Sequence, residues 1–349
     1  MAPLVGRSDT DEAMNIILVT PRGLTTRTGN AVAALRWARI LRQLGHRVTV
    51  ATDYADEPAD AMVAIHAWRS AKAIAQFKTR HPERPLILQL SGTDIYEYLT
   101  EDVEPTLRSM ELADRLVALN SLAWRAIPRR YRKKLRVILQ SVPKPAGKRR
   151  PSERRIDVCV IGHLRDVKDP LRAALAARLL PAASRIRIVH IGRAYSRKWA
   201  AAAVAEMAAN PRYLWRDEVP RTAVQKLLLR SHAMVLSSVS EGGANVISEA
   251  VVAGVPILAS RVDGNVGLLG PDYSGYFRVG DTEALARLLR RIETDRLFVE
   301  QLHYTIACRA PLFAPEREIA AWRLLLAELS TQYRSARLRG GLRPSGGSS

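Results

Sequence analysis

Short apolar runs alternate with amphipathic stretches along most of the chain. The runs at residues 14–20, 61–65 and 86–90 are almost wholly apolar, which is typical of strands buried on both faces of a parallel sheet. An amphipathic stretch at residues 31–44 ends at Gly45, a common helix stop. The pattern predicts an α/β chain with further strands at residues 47–52, 115–119, 135–139, 156–162, 186–192, 234–236, 255–259 and 275–279.

The alternation is interrupted once, at residues 141–155. This stretch is rich in proline and charge and has no apolar period, so it is typical of a linker. At 349 residues the chain is long for one core, and two domains are expected. We predict a flexible tail at 1–13, a first Rossmann-like domain at 14–140 and a linker at 141–155. A second Rossmann-like domain at 156–310 contains a loop at 261–275, and a helix at 311–335 and a disordered tail at 336–349 follow.

Composition and charge indicate where the protein is located better than they indicate its function. Lysine and arginine number 54 against 34 acidic residues, and the formal charge is +20. Such a surface attracts anionic substrates, nucleic acid or acidic lipids, but an arginine bias of the source explains it equally well. The two cysteines have no metal-ligand spacing. Residues 1–13 do not resemble a leader and no run is long enough to span a membrane, so we predict a cytoplasmic protein.

Residues 234–260, MVLSSVSEGGANVISEAVVAGVPILAS, carry the most informative pattern. Two apolar strands flank a glycine-rich loop and a short helix that begins near Asn245. Glu241 lies on the loop and Glu249 lies in the helix, so both can face one ligand at the helix N-terminus. Gly242 and Gly243 allow close approach of the backbone, and the N-terminus favours an anion. An ordinary strand–helix turn with two solvated glutamates is the simpler alternative.

Polar and basic residues also follow the first, third and fourth strands. Because carboxyl ends of parallel strands meet at one sheet edge, these residues are candidates for a crevice site. The loop after the first strand can hold a phosphate or simply cap a helix. The candidates are Arg27, Thr28, Gly29 and Asn30 after the first strand, His66, Arg69 and Lys72 after the third, and Ser91, Thr93 and Asp94 after the fourth.

The E-x7-E pattern, followed by an apolar helix and AGVP, resembles the retaining GT-B glycosyltransferases of family 4. The resemblance implies two doubly wound Rossmann-like domains that face each other across a cleft, and a UDP-sugar as donor. It implies that Glu249 holds the ribose and that Glu241 lies by the hexose. Backbone N–H groups would meet the sugar or diphosphate at Gly242, Gly243, Ala244 and Asn245.

The same resemblance implies a cationic diphosphate site on the loop after the strand at 156–162. The family pattern resembles G-R-L-x-x-x-K; here Lys168 matches, His163 replaces the arginine, and Arg165 lies two positions on. With cations in this role, neither a metal nor another cofactor is expected. The only D-x-D, at residues 9–11, precedes the first strand. Donor contacts are further predicted for Gly29, Asn30, Gly264 and Asn265.

Five segments resemble a narrower group, the selenosugar synthases of selenoneine biosynthesis: TRTGN, IHAWRS, SGTD, SEGGANVISEA and DGNVGLLG. That group joins selenophosphate to the hexose of a UDP-sugar, here UDP-glucose or UDP-N-acetylglucosamine. Relatives often carry H-G-T-D where this chain has Ser91 first, and an anionic nucleophile would need no histidine base there. The predicted catalytic residues are Glu241, Lys168 and His66. The acceptor would contact Arg27, Thr28, Arg69, Ser91, Thr93 and Asp94.

Three alternatives stay open from the sequence. A peripheral O-glycosyltransferase of lipids or envelope glycans would need a basic amphipathic helix, and the candidate stretch 122–135 is interrupted by Pro128. The presence of Lys168 with both Glu241 and Glu249 argues against a non-catalytic sugar-nucleotide sensor, because a pure binding protein has little use for a carboxylate on the hexose side. A nucleic-acid-binding module is the weakest alternative because no aromatic–basic motif accompanies the charge.

Overall fold

The computed structural model describes residues 13–21 and 29–340. Internal contacts divide the chain into two compact units. The first unit comprises Met1–Ala118, Ile127–Ile138 and Glu318–Ser349; the second comprises Leu119–Ala126 and Leu139–Arg317. This division differs from the predicted one at two places, because residues 119–126 belong to the second unit and the last helix returns to the first.

The first unit is built on a six-stranded sheet in which every neighbouring pair is parallel. Its strands are β1 (Asn15–Val19), β2 (Arg47–Ala51), β3 (Ala61–Ile65), β4 (Leu86–Gln89), β5 (Arg115–Ala118) and β6 (Leu135–Val137). The order β2-β1-β3-β4-β5-β6 reverses direction between β1 and β3. Ligands of open α/β sheets bind at the carboxyl ends of strands where such a reversal occurs.

Helices cover this sheet and bury one face each. In α1 (Gly29–Gln43), Ala33, Trp37 and Leu41 are buried at a spacing of four residues, as expected for a helix face against a sheet. The remaining helices before β5 are α2 (Ala71–Arg80), a π-helical turn (Asp94–Tyr98), α3 (Leu99–Glu101) and α4 (Val103–Leu112). A 3₁₀ helix, Arg129–Lys134, precedes β6.

The second unit is also built on six parallel strands. They are β7 (Ile156–Ile161), β8 (Ile186–Ile191), β9 (Tyr213–Arg216), β10 (Ala233–Leu236), β11 (Ile257–Ser260) and β12 (Tyr276–Phe277). Their order is β12-β11-β10-β7-β8-β9, so the chain builds outward from β7 in one direction and from β10 in the other. The reversal therefore lies between β7 and β10.

Seven helices of the second unit pack on this sheet around a continuous apolar core. They are α5 (Arg172–Arg178), α6 (Arg197–Ala209), α7 (Arg221–Arg230), α8 (Asn245–Val252), α9 (Asp263–Leu269), α10 (Thr282–Thr294) and α11 (Arg296–Arg309). Short 3₁₀ helices occur at Ala123–Arg125, Asp166–Lys168 and Ala310–Phe313. Side chains of Ser196, Asp281 and Asp295 cap the three helices that follow them.

Two elements of the second unit differ from the predictions. The edge strand β9 was not predicted, because only one of its four residues, Leu214, is aliphatic, and the strand lacks the aliphatic run that marks the inner strands. The predicted loop at 261–275 contains the helix α9. The glycines of α9 are unfavourable in helices, so the sequence indicated a loop. At Gly264 glycine is needed for close packing, because a Cβ there would lie 1.8 Å from the carbonyl oxygen of Glu241.

The last helix, α12 (Pro315–Gly340), begins in the second unit and continues in the first. Glu318 is buried and accepts a hydrogen bond from the Trp37 indole at 2.8 Å, and the Trp322 ring packs edge-on against Trp37 at 4.7 Å. These contacts explain why α12 belongs to the first unit. The prediction that residues 336–340 are disordered is wrong, because the helix continues through them; the rest of that predicted tail lies outside the described residues.

Candidate active site

Lys168 and Glu241 form an ion pair in the second unit, on the loops that follow β7 and β10. These two strands flank the reversal of strand order, so the pair lies where an α/β sheet presents its ligand. Both contacts of the carboxylate, from Lys168 and from the Ser238 hydroxyl, fall on Oε1. In the described part of the chain, Oε2 has no hydrogen-bond partner. The structure thus brings together two of the three predicted catalytic residues.

The loop that carries Glu241 is held from behind by small and polar residues. Ser260 donates to the carbonyl of Ser238 at 2.5 Å, and Asn265 donates to the carbonyl of Ser260 at 2.8 Å. Asn265 is fully buried, and Gly264 packs against the backbone of Glu241. The structure therefore gives Gly264 and Asn265 a supporting position under the loop; their contact with a donor stays a prediction.

The loop after β7 gathers two cations of the predicted diphosphate site. Lys168 and Arg165 lie three residues apart around the short 3₁₀ helix, and the Nε of Arg165 is buried with no hydrogen-bond partner among the described residues. Burial lowers the pKa of His163; nearby Glu218 opposes this effect, and the cations Arg193, Arg165 and Lys168 add to it. A neutral His163 cannot replace the family's arginine as a cation, whereas Arg165 retains an unused donor.

His190, on β8, supports this loop from the core. Its Nε2 donates to the carbonyl of Gly162 at 3.0 Å, and its Nδ1 accepts from the Tyr213 hydroxyl at 3.0 Å. Burial lowers the pKa of His190 to about 4, so the ring is neutral at pH 7. Gly192 packs closely as well, because a Cβ there would lie 1.9 Å from the Gly162 carbonyl oxygen. A small cavity beside Lys168 is lined by Gly162, His163, Pro170, His190 and Ser238.

The helix α8 starts directly after the glycine-rich loop, as predicted. Ala244 occupies its N-cap position and supplies no side-chain hydrogen bond, so backbone groups of the first turn form this end of the helix. Glu249 lies one turn further, a quarter exposed, with Arg221 at 3.7 Å. The sequence did not indicate Arg221, which begins α7.

In the first unit, His66 follows β3 in a left-handed conformation, with φ of 77°. Its Nδ1 lies 2.7 Å from Oδ1 of Asp94, and its Nε2 lies 3.0 Å from the Thr93 hydroxyl. The backbone N–H of Arg69 also approaches Nδ1, at 3.3 Å, but the shorter contact to a carboxylate makes Nδ1 the protonated nitrogen. Thr93 then donates to Nε2. The predicted residues His66, Thr93 and Asp94 therefore form one cluster, in which the imidazole is 2% exposed.

Asp94 organises the loop around this histidine. Its Oδ2 accepts from the N–H groups of Ala67 and Ser91 at 2.9 and 2.8 Å, and its Oδ1 accepts from that of Trp68 at 3.0 Å. The carboxylate is fully buried, and both oxygens are engaged by protein groups. Its predicted contact with an acceptor stays a prediction, whereas its contacts explain how the loop after β3 is fixed.

Arg69 lies against a pair of stacked aromatic rings that the sequence did not single out together. The rings of Trp68 and Tyr98 stack at 4.5 Å, and the guanidinium lies 5.6 and 5.9 Å from their centroids. Its Nη2 donates to the Tyr98 hydroxyl at 3.2 Å. Arg69 forms no ion pair with a carboxylate in the described ranges. Tyr98 owes its place to the π-helical turn, a feature common at functional sites.

The other predicted positions are partly accounted for. The Ser91 hydroxyl contacts the Asn30 amide oxygen at 3.2 Å, which brings the loops after β1 and β4 together. Gly29 and Asn30 open α1, whereas Arg27, Thr28 and the D-x-D at 9–11 lie outside the described residues. Within the described ranges, no group of three or more His, Cys, Asp or Glu side chains could hold a metal ion. No described helix is long and apolar enough to cross a membrane.

A comparison with known protein families finds a match in the second unit. Residues 144–307 match the family model of glycosyl transferases group 1. This stretch contains Lys168, Glu241 and Glu249. The second unit carries a group 1 glycosyltransferase domain. The prediction of a glycosyltransferase enzyme is confirmed by this domain.

Solved structures extend the comparison to the whole fold. Anabaena HepE in complex with UDP is similar at a TM-score of 0.72 and 15% identity, over 90% of this chain and 99% of that one. HepE has also been solved with UDP-glucose, with similar values. Sucrose-phosphate synthase from Thermosynechococcus elongatus gives 0.73 and 15%, over 92% and 99%. No curated protein sequence matches the chain. The predicted GT-B fold, with two Rossmann-like units, is confirmed.

Sequence reasoning missed several residues that shape the glycosyltransferase domain. Ser238, three residues before Glu241, supplies the second hydrogen bond to its carboxylate. Tyr195 stacks on His163 at 5.0 Å and lies beneath the guanidinium of Arg193 at 5.5 Å. Asn120, which is far away in the sequence, donates a hydrogen bond to the carbonyl oxygen of Gly242 in this loop. Only Ser238 could have been found from its position after a strand; the other two depend on tertiary contacts.

Proposed function

We propose that the chain transfers a hexose from a UDP-sugar to an anionic, phosphate-bearing acceptor, and that this acceptor is selenophosphate. The observation that carries the proposal is the convergence of Lys168 and Glu241 at the strand reversal of a group 1 glycosyltransferase domain. Solved relatives of this fold hold UDP and UDP-glucose. Cations beside a carboxylate and a helix N-terminus are what a nucleotide sugar requires.

The donor half of the reaction rests on the second unit. Negative charge grows on the diphosphate as the bond to the sugar breaks, and Lys168, with Arg165 on the same loop, would stabilise that charge. Glu249 would hold the ribose hydroxyls, and Glu241 would orient the hexose through the oxygen that protein groups leave open. The cations make a metal unnecessary, so added EDTA is expected to leave the rate unchanged.

The acceptor half rests on Arg69. A guanidinium that is fixed by two rings and one hydroxyl, and that pairs with no described carboxylate, suits a phosphate group. In the proposed step, selenium of selenophosphate attacks the anomeric carbon of the hexose, the bond from this carbon to the diphosphate oxygen breaks, and its electron pair leaves with UDP. Water then cleaves the phosphorus–selenium bond, which releases phosphate and the selenosugar.

The acceptor assay separates the proposal from its main alternative. The enzyme is incubated with UDP-glucose or UDP-N-acetylglucosamine, with and without selenophosphate, and UDP and selenium-bearing sugars are followed by mass spectrometry. Inorganic phosphate serves as the matched anion without selenium. We expect selenophosphate, but not inorganic phosphate, to raise UDP release well above the slow acceptor-free hydrolysis, and a selenium-bearing sugar to form only with selenophosphate. UDP release that ignores selenophosphate but responds to lipids or sugar alcohols would favour the envelope-glycan alternative.

No described feature favours that alternative. Residues 122–135, the candidate membrane helix, contain two separate 3₁₀ turns, Ala123–Arg125 and Arg129–Lys134, on either side of Pro128. A sugar-nucleotide sensor is disfavoured by the ion pair, because a pure binding site needs no carboxylate opposite its diphosphate cation.

A further inference from the structure

The segment Leu119–Ala126, called the strap below, belongs to the second unit although the strand before it and the residues after it belong to the first. It contains the short 3₁₀ helix Ala123–Arg125. Asn120 and Ala123 are fully buried. A buried polar side chain on an irregular segment needs partners for its donor and acceptor atoms, so the partners of Asn120 indicate what the strap is for.

Both ends of the Asn120 amide are used. Its Nδ2 donates to the carbonyl oxygen of Gly242 at 2.7 Å, and its Oδ1 accepts from the backbone N–H of Leu122 at 2.9 Å. A carbonyl can only accept and a backbone N–H can only donate, so these partners fix the orientation of the amide. Gly242 follows Glu241 directly, which places this bond on the loop that carries the hexose-side carboxylate.

Glycines let the strap lie directly on the loop and on α9. A Cβ on Gly243 would come 2.3 Å from the Cβ of Leu119, and one on Gly267 would come 2.6 Å from Oδ1 of Asn120. The Ser121 hydroxyl donates to the carbonyl of Gly267 at 2.9 Å. Gly243 is therefore needed for packing against the strap, in addition to any close approach of a ligand.

We infer that Asn120 is a positioning residue that aims the backbone of the Glu241 loop at the donor. The inference rests on the proposed function of this loop. In a trans peptide the carbonyl and the next N–H point in opposite directions, and the described chain has no cis peptide. By holding the Gly242 carbonyl toward the strap, Asn120 turns the N–H of Gly243 away from it, at the entrance to α8. A backbone N–H that is held in a fixed orientation stabilises negative charge most where that charge develops in the transition state.

The test uses the full chain and a reaction that needs no acceptor, the slow hydrolysis of UDP-glucose or UDP-N-acetylglucosamine to UDP. Asn120→Asp keeps the size and the bond to Leu122 but places an oxygen against the Gly242 carbonyl. Ser121→Ala is the matched control, because it removes a strap bond to α9 and leaves Asn120 intact. Should the Asp variant not fold, Asn120→Ser is measured in its place.

We expect Asn120→Asp to lower kcat for hydrolysis by about tenfold or more, while calorimetric affinity for UDP changes by less than about threefold, because the ribose contact is untouched. Ser121→Ala should keep kcat within about twofold. An Asn120 variant with wild-type kcat, or one that loses UDP affinity in proportion to kcat, overturns the positioning role. Failure of the wild type itself to bind UDP or hydrolyse either donor would instead overturn the proposed function.

Discussion

Two buried carboxylates, one in each unit, make similar contacts with different consequences. Glu241 and Asp94 both follow a strand of a parallel sheet, and both pair with a basic side chain, Lys168 and His66 respectively. Asp94 also accepts three backbone N–H groups, so its two oxygens serve the loop around it. Glu241 receives two side-chain donors on one oxygen and leaves the other open. The contacts of Asp94 serve the loop around it, whereas one oxygen of Glu241 stays available to a ligand, as the proposed function requires.

The basic partners differ in the same sense. Lys168 is a cation whose side chain pairs with Glu241 and is one-fifth exposed. His66 is buried, held at both ring nitrogens and locked in a left-handed backbone conformation. Under the proposed function, the partly exposed ammonium of Lys168 can meet the charge that grows on the leaving diphosphate, whereas the buried His66 cannot. In the first unit, the partly buried cation beside this loop is Arg69, whose position depends on the loop that Asp94 and His66 maintain.

The largest effect is expected from Lys168→Ala, which removes the cation from the chemical pair. Because the charge it meets grows in the transition state, kcat for UDP formation should fall by about 100-fold or more, with a smaller change in UDP affinity. Steady-state kinetics checks this, with Lys226→Ala, an exposed lysine of α7, as control. Unchanged kcat would transfer the role to Arg165 or to backbone groups.

Asp94→Ala should act on stability. It leaves three buried N–H groups and an imidazole without their acceptor, and the free energy of unfolding should fall by about 3 kcal/mol or more. Denaturant titration of the full chain measures this. Asp102→Ala, which removes an exposed carboxylate bonded to the Trp68 indole at 2.7 Å, should cost less than about 1 kcal/mol. Equal effects of the two variants would contradict the structural role of Asp94.

Glu249→Ala tests whether the donor lies along α8. Loss of a charged hydrogen-bond partner of the ribose should weaken UDP binding by roughly 1.5–3 kcal/mol without unfolding the protein. Calorimetric titration with UDP gives the value, and Glu283→Ala, an exposed glutamate on α10, provides the reference. A variant that binds UDP as the wild type does would remove Glu249 from the site.

Acid should weaken the second unit through His190. Burial holds its pKa near 4, below the value of about 6.5 for an unfolded chain, so the unfolded state binds more protons at acidic pH. The contribution is complete above about pH 6.5 and is lost as the pH falls toward 4, by about 2 kcal/mol at pH 5. His190→Gln should reduce the acid-induced drop in Tm between pH 7.5 and 5. An unchanged drop would mean that other groups cause it.

Much of the fold follows from apolar runs, because strands buried on both faces must be continuous and short. Residues 61–65 were predicted with the bounds that the structure has. The helix α9 escaped prediction because Gly264 and Gly267 serve tertiary packing, which no local pattern encodes. The sequence did not predict that residues 119–126 belong to the second unit or that most of α12 belongs to the first. Such assignments depend on long-range contacts, for example that of Glu318 with Trp37, more than 280 positions away.

The residues of the candidate site were also predicted in part, whereas most contacts between them were not. The loops of Lys168 and Glu241 were predicted from motif and spacing, but their meeting depends on β10 adding beside β7, a strand order that the sequence does not specify. Arg69 was predicted as a basic residue after a strand. Its contact with the stacked rings of Trp68 and Tyr98 was not predicted, because Tyr98 reaches it through a π-helical turn. Asn120 carries no local signal at all.

The central claim is that the second unit binds the sugar donor and that Arg69 of the first unit binds the acceptor. It is tested most directly by Arg69→Ala, compared with Arg80→Ala on the exposed side of α2. Initial rates of UDP formation are measured with a fixed UDP-sugar while selenophosphate is varied. The account predicts that Arg69→Ala raises the KM for selenophosphate by about tenfold or more and leaves acceptor-free hydrolysis of the donor within about twofold. An unchanged KM for selenophosphate, or an equal loss of donor hydrolysis, would contradict it.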